Sequence, residues 1–219
     1  MVLRGLPASH AKQVAEFLEK QRTARGRIAF VIDATGSRER TWDNAAQLQA
    51  EMFGEAAKLG GLEMQVTYFR GFDEVRSSAW SRDARELQNF MGRVRCETGQ
   101  TKYARAFTHV RKEHQQQAIN AVIVIGDELE EEPSTLFDAV AGLGVPFFCF
   151  QEGSHPGLHA TFQEVVRLTK GAFCVFDAGS IAQLRELLQA VARFAIGGLT
   201  ALEDLHTPSA RKLLGQMKK

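Results

Sequence analysis

Two unbroken apolar runs punctuate the chain, Ile28 to Ile32 and Ala121 to Ile125, and a carboxylate follows each, at Asp33 and Asp127. A short continuous apolar run predicts a strand buried on both faces, as in a parallel sheet. Further strands are predicted over Met64 to Arg70, Pro146 to Phe150 and Ala172 to Val175. Between these the apolar positions switch to helical spacing. Thr41 caps a predicted helix through Leu59, with Trp42, Ala46, Gln49, Met52, Phe53 and Ala56 near helical spacing and Gly60-Gly61 at its end. Other helices are predicted over 83–94, 103–117, 136–143, 158–168 and 181–194, with a short amphipathic one over 9–21 capped by Ser9. After Gly71, residues 72–80 return as a strand. So short a connection makes only an antiparallel hairpin, because a parallel pair needs a crossover of about a dozen residues or more.

This alternation predicts an α/β fold: a doubly wound, Rossmann-like, mostly parallel six-stranded sheet with helices on both faces and one antiparallel edge strand. Residues 1–26 read as an N-terminal helix and linker, 27–195 as the domain and 196–219 as a C-terminal tail. In doubly wound sheets ligands bind outside the carboxyl ends of the strands, where the strand order reverses. For the order 3-2-1-4-5-6 that crevice lies between strand 1, ending at Asp33, and strand 4, ending at Asp127.

The chemistry gathers at the same place. Asp33, Thr35 and Ser37 occupy alternate positions of the loop after the first strand, and alternate side chains of an extended loop point the same way. Thr101 lies in the loop entering the helix before strand 4, within reach of that crevice. Oxygen-only ligands suit a hard cation such as Mg2+. Alone, Thr35-Gly36-Ser37 favours an ordinary turn that caps the next helix. Together, Asp33-Ala34-Thr35-Gly36-Ser37, Thr101 in Gly99-Gln100-Thr101 and Asp127 in Ile125-Gly126-Asp127 resemble the metal-ion-dependent adhesion site (MIDAS) of a von Willebrand factor type A (VWA) domain. That family's pattern is D-x-S-x-S, then a Thr, then an Asp. Two positions depart from it: Thr35 replaces a Ser, and Glu128 stands where a Gly is common.

The resemblance implies that Thr35 and Ser37 ligate Mg2+ (or Mn2+) directly. Thr101 would join them in the ligand-competent state, with Asp33 and Asp127 acting directly or through waters. It also implies a vacant position that takes a Glu or Asp from a partner protein. On this reading the chain is a metal-dependent protein-binding module and not an enzyme.

Composition changes little. Of 219 residues 44% are hydrophobic and 24% charged, and the formal net charge is +1, which gives no reason to expect nucleic acid or an anionic membrane as partner. The first twenty residues carry Arg4, Lys12, Glu16, Glu19 and Lys20 where a signal peptide would be apolar. Cys96, Cys149 and Cys174 are odd in number and widely spaced, so they read as free thiols of a cytoplasmic protein. His155 and His159 are spaced for a shared helical face but lack a third ligand, and His109 and His114 read as solvent-facing. Arg22, Arg25 and Arg27 read as a solvated linker, and Glu128 to Glu132 as a solvated acidic loop. The leucines of the tail either dock back on the domain or meet a partner.

An enzymatic alternative is a Mg2+-dependent phosphoryl-transfer hydrolase with Asp33 as nucleophile, Thr101 on phosphate and Asp127 on metal. Thr35, where such enzymes carry a second acid, and the lack of a Lys beside a later strand end count against it. A purely structural scaffold is the third reading.

Overall fold

The computed structural model describes residues 26–39, 42, 53, 62–176 and 181–218. The predicted helix over 9–21 lies outside them. So does the one over 41–59, apart from Trp42 and Phe53, which are helical and buried.

Six strands form one sheet: β1 (Arg27–Asp33), β2 (Glu63–Arg70), β3 (Glu74–Ser77), β4 (Ala121–Gly126), β5 (Phe147–Glu152) and β6 (Ala172–Phe176). Their order is β3-β2-β1-β4-β5-β6. Every neighbouring pair is parallel except β2 and β3, which run antiparallel from Thr67 opposite Ser77 to Arg70 opposite Glu74. The predicted fold class and strand order are therefore the observed ones.

The unbroken apolar runs are explained by burial on both faces. Ile28, Phe30 and Ile32 of β1, with Ala121, Ile123 and Ile125 of β4, face one core. Ala29 and Val31, with Val122 and Val124, face the other. The first core is covered by helix α1 (Ala84–Met91), by Trp42 and Phe53, and by α5 (Ile181–Glu203) through Leu184, Leu187, Leu188 and Val191. The second is covered by α2 (Tyr103–Gln116), α3 (Pro133–Val140) and α4 (Pro156–Thr169). Phe107 on α2 meets Phe147 on β5 edge to face, with ring centroids 5.1 Å apart.

Several expectations shift. The edge strand β3 is shorter than 72–80 because residues 71–73 make the turn, with Gly71 at φ +58°. The α3 helix starts three residues before its first apolar position, with Pro133 in its first turn. Arg27 is not in a solvated linker. It is 8% exposed in β1, stacks on Trp80 at 3.6 Å and pairs with Glu63 at 3.3 Å.

The tail resolves toward docking. The α5 span is two helical stretches parted at Gly198 (φ 65°, ψ −154°), the second reaching Glu203, and helix α6 (Pro208–Met217) follows behind a Thr207 cap. Leu202 and Leu213 are fully buried in the first core. The Gln216 carboxamide accepts from the Phe173 N–H and donates to the Phe173 carbonyl, both at 2.9 Å. It thereby caps the outer edge of β6.

Candidate functional site

The carboxyl edge of the sheet collects one carboxylate from each of three parallel strands: Asp33 ending β1, Asp127 just after β4 and Glu152 ending β5. Asp33 is wholly buried. Its Oδ1 accepts from the Thr35 N–H at 2.8 Å and from the Thr35 hydroxyl at 2.6 Å, so the loop turns back on the strand end. Its Oδ2 accepts from the Tyr103 hydroxyl at 3.2 Å. Burial pushes the Asp33 carboxyl up to about 7, and Asp127 adds to this, while the Thr35 hydrogen bonds and Arg38 oppose it.

Ser37 is exposed at the mouth, and its hydroxyl lies 3.2 Å from that of Thr35. The half-buried Asp127 carboxylate lies near enough for the Ser37 hydroxyl to lower its pKa, against the larger rise that burial causes. Asp127 Oδ1 is buried without a hydrogen-bond partner. The proton allocation follows. The Thr35 hydroxyl donates to Asp33 Oδ1, so the Ser37 hydroxyl is left to donate to Thr35. A cation bound by both oxygens would take the place of that hydrogen bond. An octahedral Mg2+ with oxygens at about 2.1 Å sets adjacent ligands about 3.0 Å apart. The observed 3.2 Å fits such an edge. Thr35 keeps the hydroxyl a Ser would supply, and its methyl does not displace it.

Thr101 behaves differently from the other four predicted residues. It is fully buried; its N–H donates to Glu130 Oε2 at 2.8 Å and its hydroxyl accepts from the Glu130 N–H at 3.1 Å. It makes no hydrogen bond to Asp33, Thr35, Ser37 or Asp127. The acidic run is not simply a solvated loop either. Glu131 accepts from the Tyr103 and Ala104 N–H groups at 2.6 and 3.0 Å, satisfying the first turn of α2. Glu128 remains exposed on the rim, its carboxyl raised by partial burial and by Asp127 and Glu130.

Three residues that sequence reasoning passed over complete the site. Arg38 is fully buried, donates to the Asp33 carbonyl at 2.8 Å and pairs with Glu152 at 3.0 Å. Its guanidinium lies near enough to lower both Asp33 and Asp127. Tyr103 reaches Asp33 only because residue 126 is glycine: a Cβ there would fall 1.7 Å from the Tyr103 hydroxyl. The available signals were the third strand ending in a carboxylate, at Glu152, and a tyrosine at the inward start of a helix.

The histidines are accounted for otherwise. His155 Nδ1 accepts from the Leu158 N–H at 3.0 Å as the cap of α4, and His159 packs edge-on against Phe173. His109 is half-buried, with Nε2 3.0 Å from Gln65 Oε1, and burial lowers its pKa. His114 accepts from the Ile119 N–H at 2.9 Å. Cys149 and Cys174 are buried free thiols on neighbouring strands. Among the described residues no three His, Cys, Asp or Glu side chains gather as a metal centre, so the candidate set rests on two carboxylates and hydroxyls.

No family model and no curated protein matches the chain. Solved structures do. The VWA domain of SpRpn10 superposes with a TM-score of 0.57 at 10% identity, over 73% of this chain and 95% of that one. The pilus adhesin SpaC of Lactobacillus rhamnosus GG gives a TM-score of 0.64 at 9% identity, over 78% of this chain and 30% of the adhesin. Proximal thread matrix protein 1 of the mussel byssus gives 0.59 at 17% identity, over 77% of this chain and 46% of that one. The chain thus spans under half of the mussel protein and of the adhesin. At these identities the likeness is one of architecture: the chain has a VWA-like, Rossmann-like α/β fold.

Proposed function

We propose that the carboxyl-edge loops form a metal-dependent protein-binding site. Thr35 and Ser37 hold Mg2+ (or Mn2+) directly, Asp33 and Asp127 support it directly or through waters, and Thr101 joins on release from Glu130. The bound cation would supply an electrophilic position for a Glu or Asp of a partner protein. The observation that carries this reading is the Thr35–Ser37 oxygen pair 3.2 Å apart beside the buried, unpartnered Asp127 Oδ1.

The hydrolase alternative finds no support in this arrangement. A nucleophilic carboxylate must swing an oxygen out to substrate. Asp33 is fully buried and held by three donors, whereas a cation or its water needs only the lone pair left on Oδ2. A binding module in a reducing, cytoplasmic setting remains the reading, with the three free cysteines as its support. Among the described residues no helix is long and apolar enough to cross a membrane.

The test is calorimetric titration of the metal-stripped protein with Mg2+ and Mn2+, beside Asp33→Ala/Ser37→Ala, and again with acetate as a stand-in for the partner's carboxylate. Saturable binding that the double variant abolishes is expected. Absence of binding by the native chain at millimolar metal, with and without acetate, overturns the proposal.

A further inference from the structure

Four large apolar side chains are exposed among the described residues: Leu168, Val175 and Leu199 at 37–41%, and Phe72 at 74%. Phe72, in the turn between β2 and β3, stands on the carboxyl edge beside β1, whereas Val175 lies near that edge on the outermost strand β6, beyond β4 and β5. A phenyl left in water forgoes the stabilisation its burial would bring. Its mount is rigid. The Gly71 N–H donates to the Glu97 carbonyl at 3.2 Å, and the Gly71 carbonyl accepts from the Gln100 N–H at 3.0 Å. The turn and the 97–100 loop touch backbone to backbone, since a Cβ on Gly99 would lie 1.8 Å from the Gly71 oxygen. The same loop continues to the ligand loop, where the Glu97 N–H donates to the Ala34 carbonyl at 3.1 Å. Backbone to backbone, Glu97 bridges Gly71 and Ala34 by two hydrogen-bonded spacings of about 4.8 Å, about 10 Å in all.

The charges flanking the ring are paired among themselves. Arg105 meets Asp73 at 2.6 Å, and Arg70 meets Glu74 at 2.9 Å with Glu97 at 3.6 Å. The turn thus offers a partner the ring beside an exposed but paired Asp73.

We propose that Phe72 is the apolar half of a two-point docking face. The partner is a protein segment that places a carboxylate at the Thr35–Ser37 mouth and, about three extended residues away, an apolar side chain over the Phe72 ring. This rests on the metal-dependent reading above and names the kind of partner that site takes. An isolated carboxylate would bind weakly, and the phenyl selects among acidic segments by the spacing of their nearest apolar residue. Aromatic residues held on a rigid backbone commonly anchor interfaces in this way.

The probe is a series of synthetic Gly/Ser peptides, each with one central Glu and one Leu moved a single position at a time along either side. They are titrated by fluorescence anisotropy against the full chain in Mg2+, after Mg2+ binding itself has been measured by calorimetry. Affinity is expected to peak with Leu about three residues from Glu, about tenfold tighter than the Leu-free peptide. Phe72→Ser should erase that tenfold gain and leave Mg2+ affinity unchanged. Ser37→Ala should abolish binding of every peptide. Affinity independent of Leu position, an unchanged preference in Phe72→Ser, or no peptide binding by a chain that does bind Mg2+ overturns the Phe72 proposal alone. Phe72-dependent peptide binding that persists in EDTA overturns the two-point form. Self-association removed by Phe72→Ser assigns the ring to a second copy and overturns it too. A native chain that does not bind Mg2+ takes down the metal reading first, and this proposal with it.

Discussion

At the scale of single residues, Asp33 carries a conflict that a cation would relieve. Its carboxyl is buried and pushed up to about 7, against an ordinary value of 3.8. Below about pH 4 the side chain is protonated in both folded and unfolded chains and contributes nothing to the difference. Between about pH 4 and 7 the unfolded chain loses that proton while the folded one keeps it, so stability falls as pH rises. The cost is fully present above pH 7, bounded at about 4 kcal/mol. Asp33→Asn keeps an oxygen for the Thr35 donors and removes the charge. Without metal it should raise Tm at pH 8, have little effect at pH 4 and lose any Mg2+-induced rise in Tm. Thermal melts at both pH values with Mg2+ or EDTA check this. A variant that melts below the native chain at pH 8 in EDTA contradicts it. Asp33 and Asp127 were legible in the sequence because each closes an apolar run. Arg38 was not, because its burial depends on Glu152, 114 residues further along the chain.

At the scale of elements, α2 shows how an acidic loop is turned to structural use. Its N-cap, Lys102, makes no side-chain cap hydrogen bond, so its first N–H groups look elsewhere. Glu131 reaches across from the β4–α3 loop to take two of them, Tyr103 and Ala104, while Glu130 holds Thr101. Negative charge at a helix N-terminus also complements the helix dipole. Glu131→Ala should therefore cost about 1–2 kcal/mol of stability, read by urea denaturation, whereas Glu132→Ala, on an exposed side chain, should cost little. Equal effects would remove the capping account. Charge patterning predicted solvent for this run because a line of glutamates carries no mark of the helix end that faces it in space. The helices themselves were legible from their spacing. One end moved where a proline began a helix early, at Pro133, while the closing helix breaks at Gly198, within the Gly197-Gly198 pair that was expected to open the tail.

At the scale of the molecule, the site and the tail occupy different parts of the sheet. The ligand loops sit over the carboxyl ends of β1 and β4, whereas α6 lies against the open side of β6, where Gln216 supplies the hydrogen bonds of a missing neighbour strand at Phe173. An uncovered edge strand is a template for pairing with another chain. The tail therefore has two separable effects: Leu213 anchors it in the first core, and Gln216 closes the edge. Leu213→Ala should destabilise the fold by about 2–5 kcal/mol, as for other fully buried leucines. Gln216→Ala removes little apolar contact but leaves the Phe173 N–H and carbonyl without that partner, so its expected signature is concentration-dependent self-association. Sedimentation velocity across a concentration series separates the two. Neither substitution touches a ligand-loop residue, so Mg2+ affinity should be unchanged in both, as expected for well-separated positions. A Gln216→Ala chain that stays monomeric throughout would show that the carboxamide is dispensable as an edge cap. The composition of the tail left docking and partner binding equally open, because leucines at helical spacing say that a face will be covered and not by what. The edge of β6 decides it, and that edge exists only once six strands have been ordered.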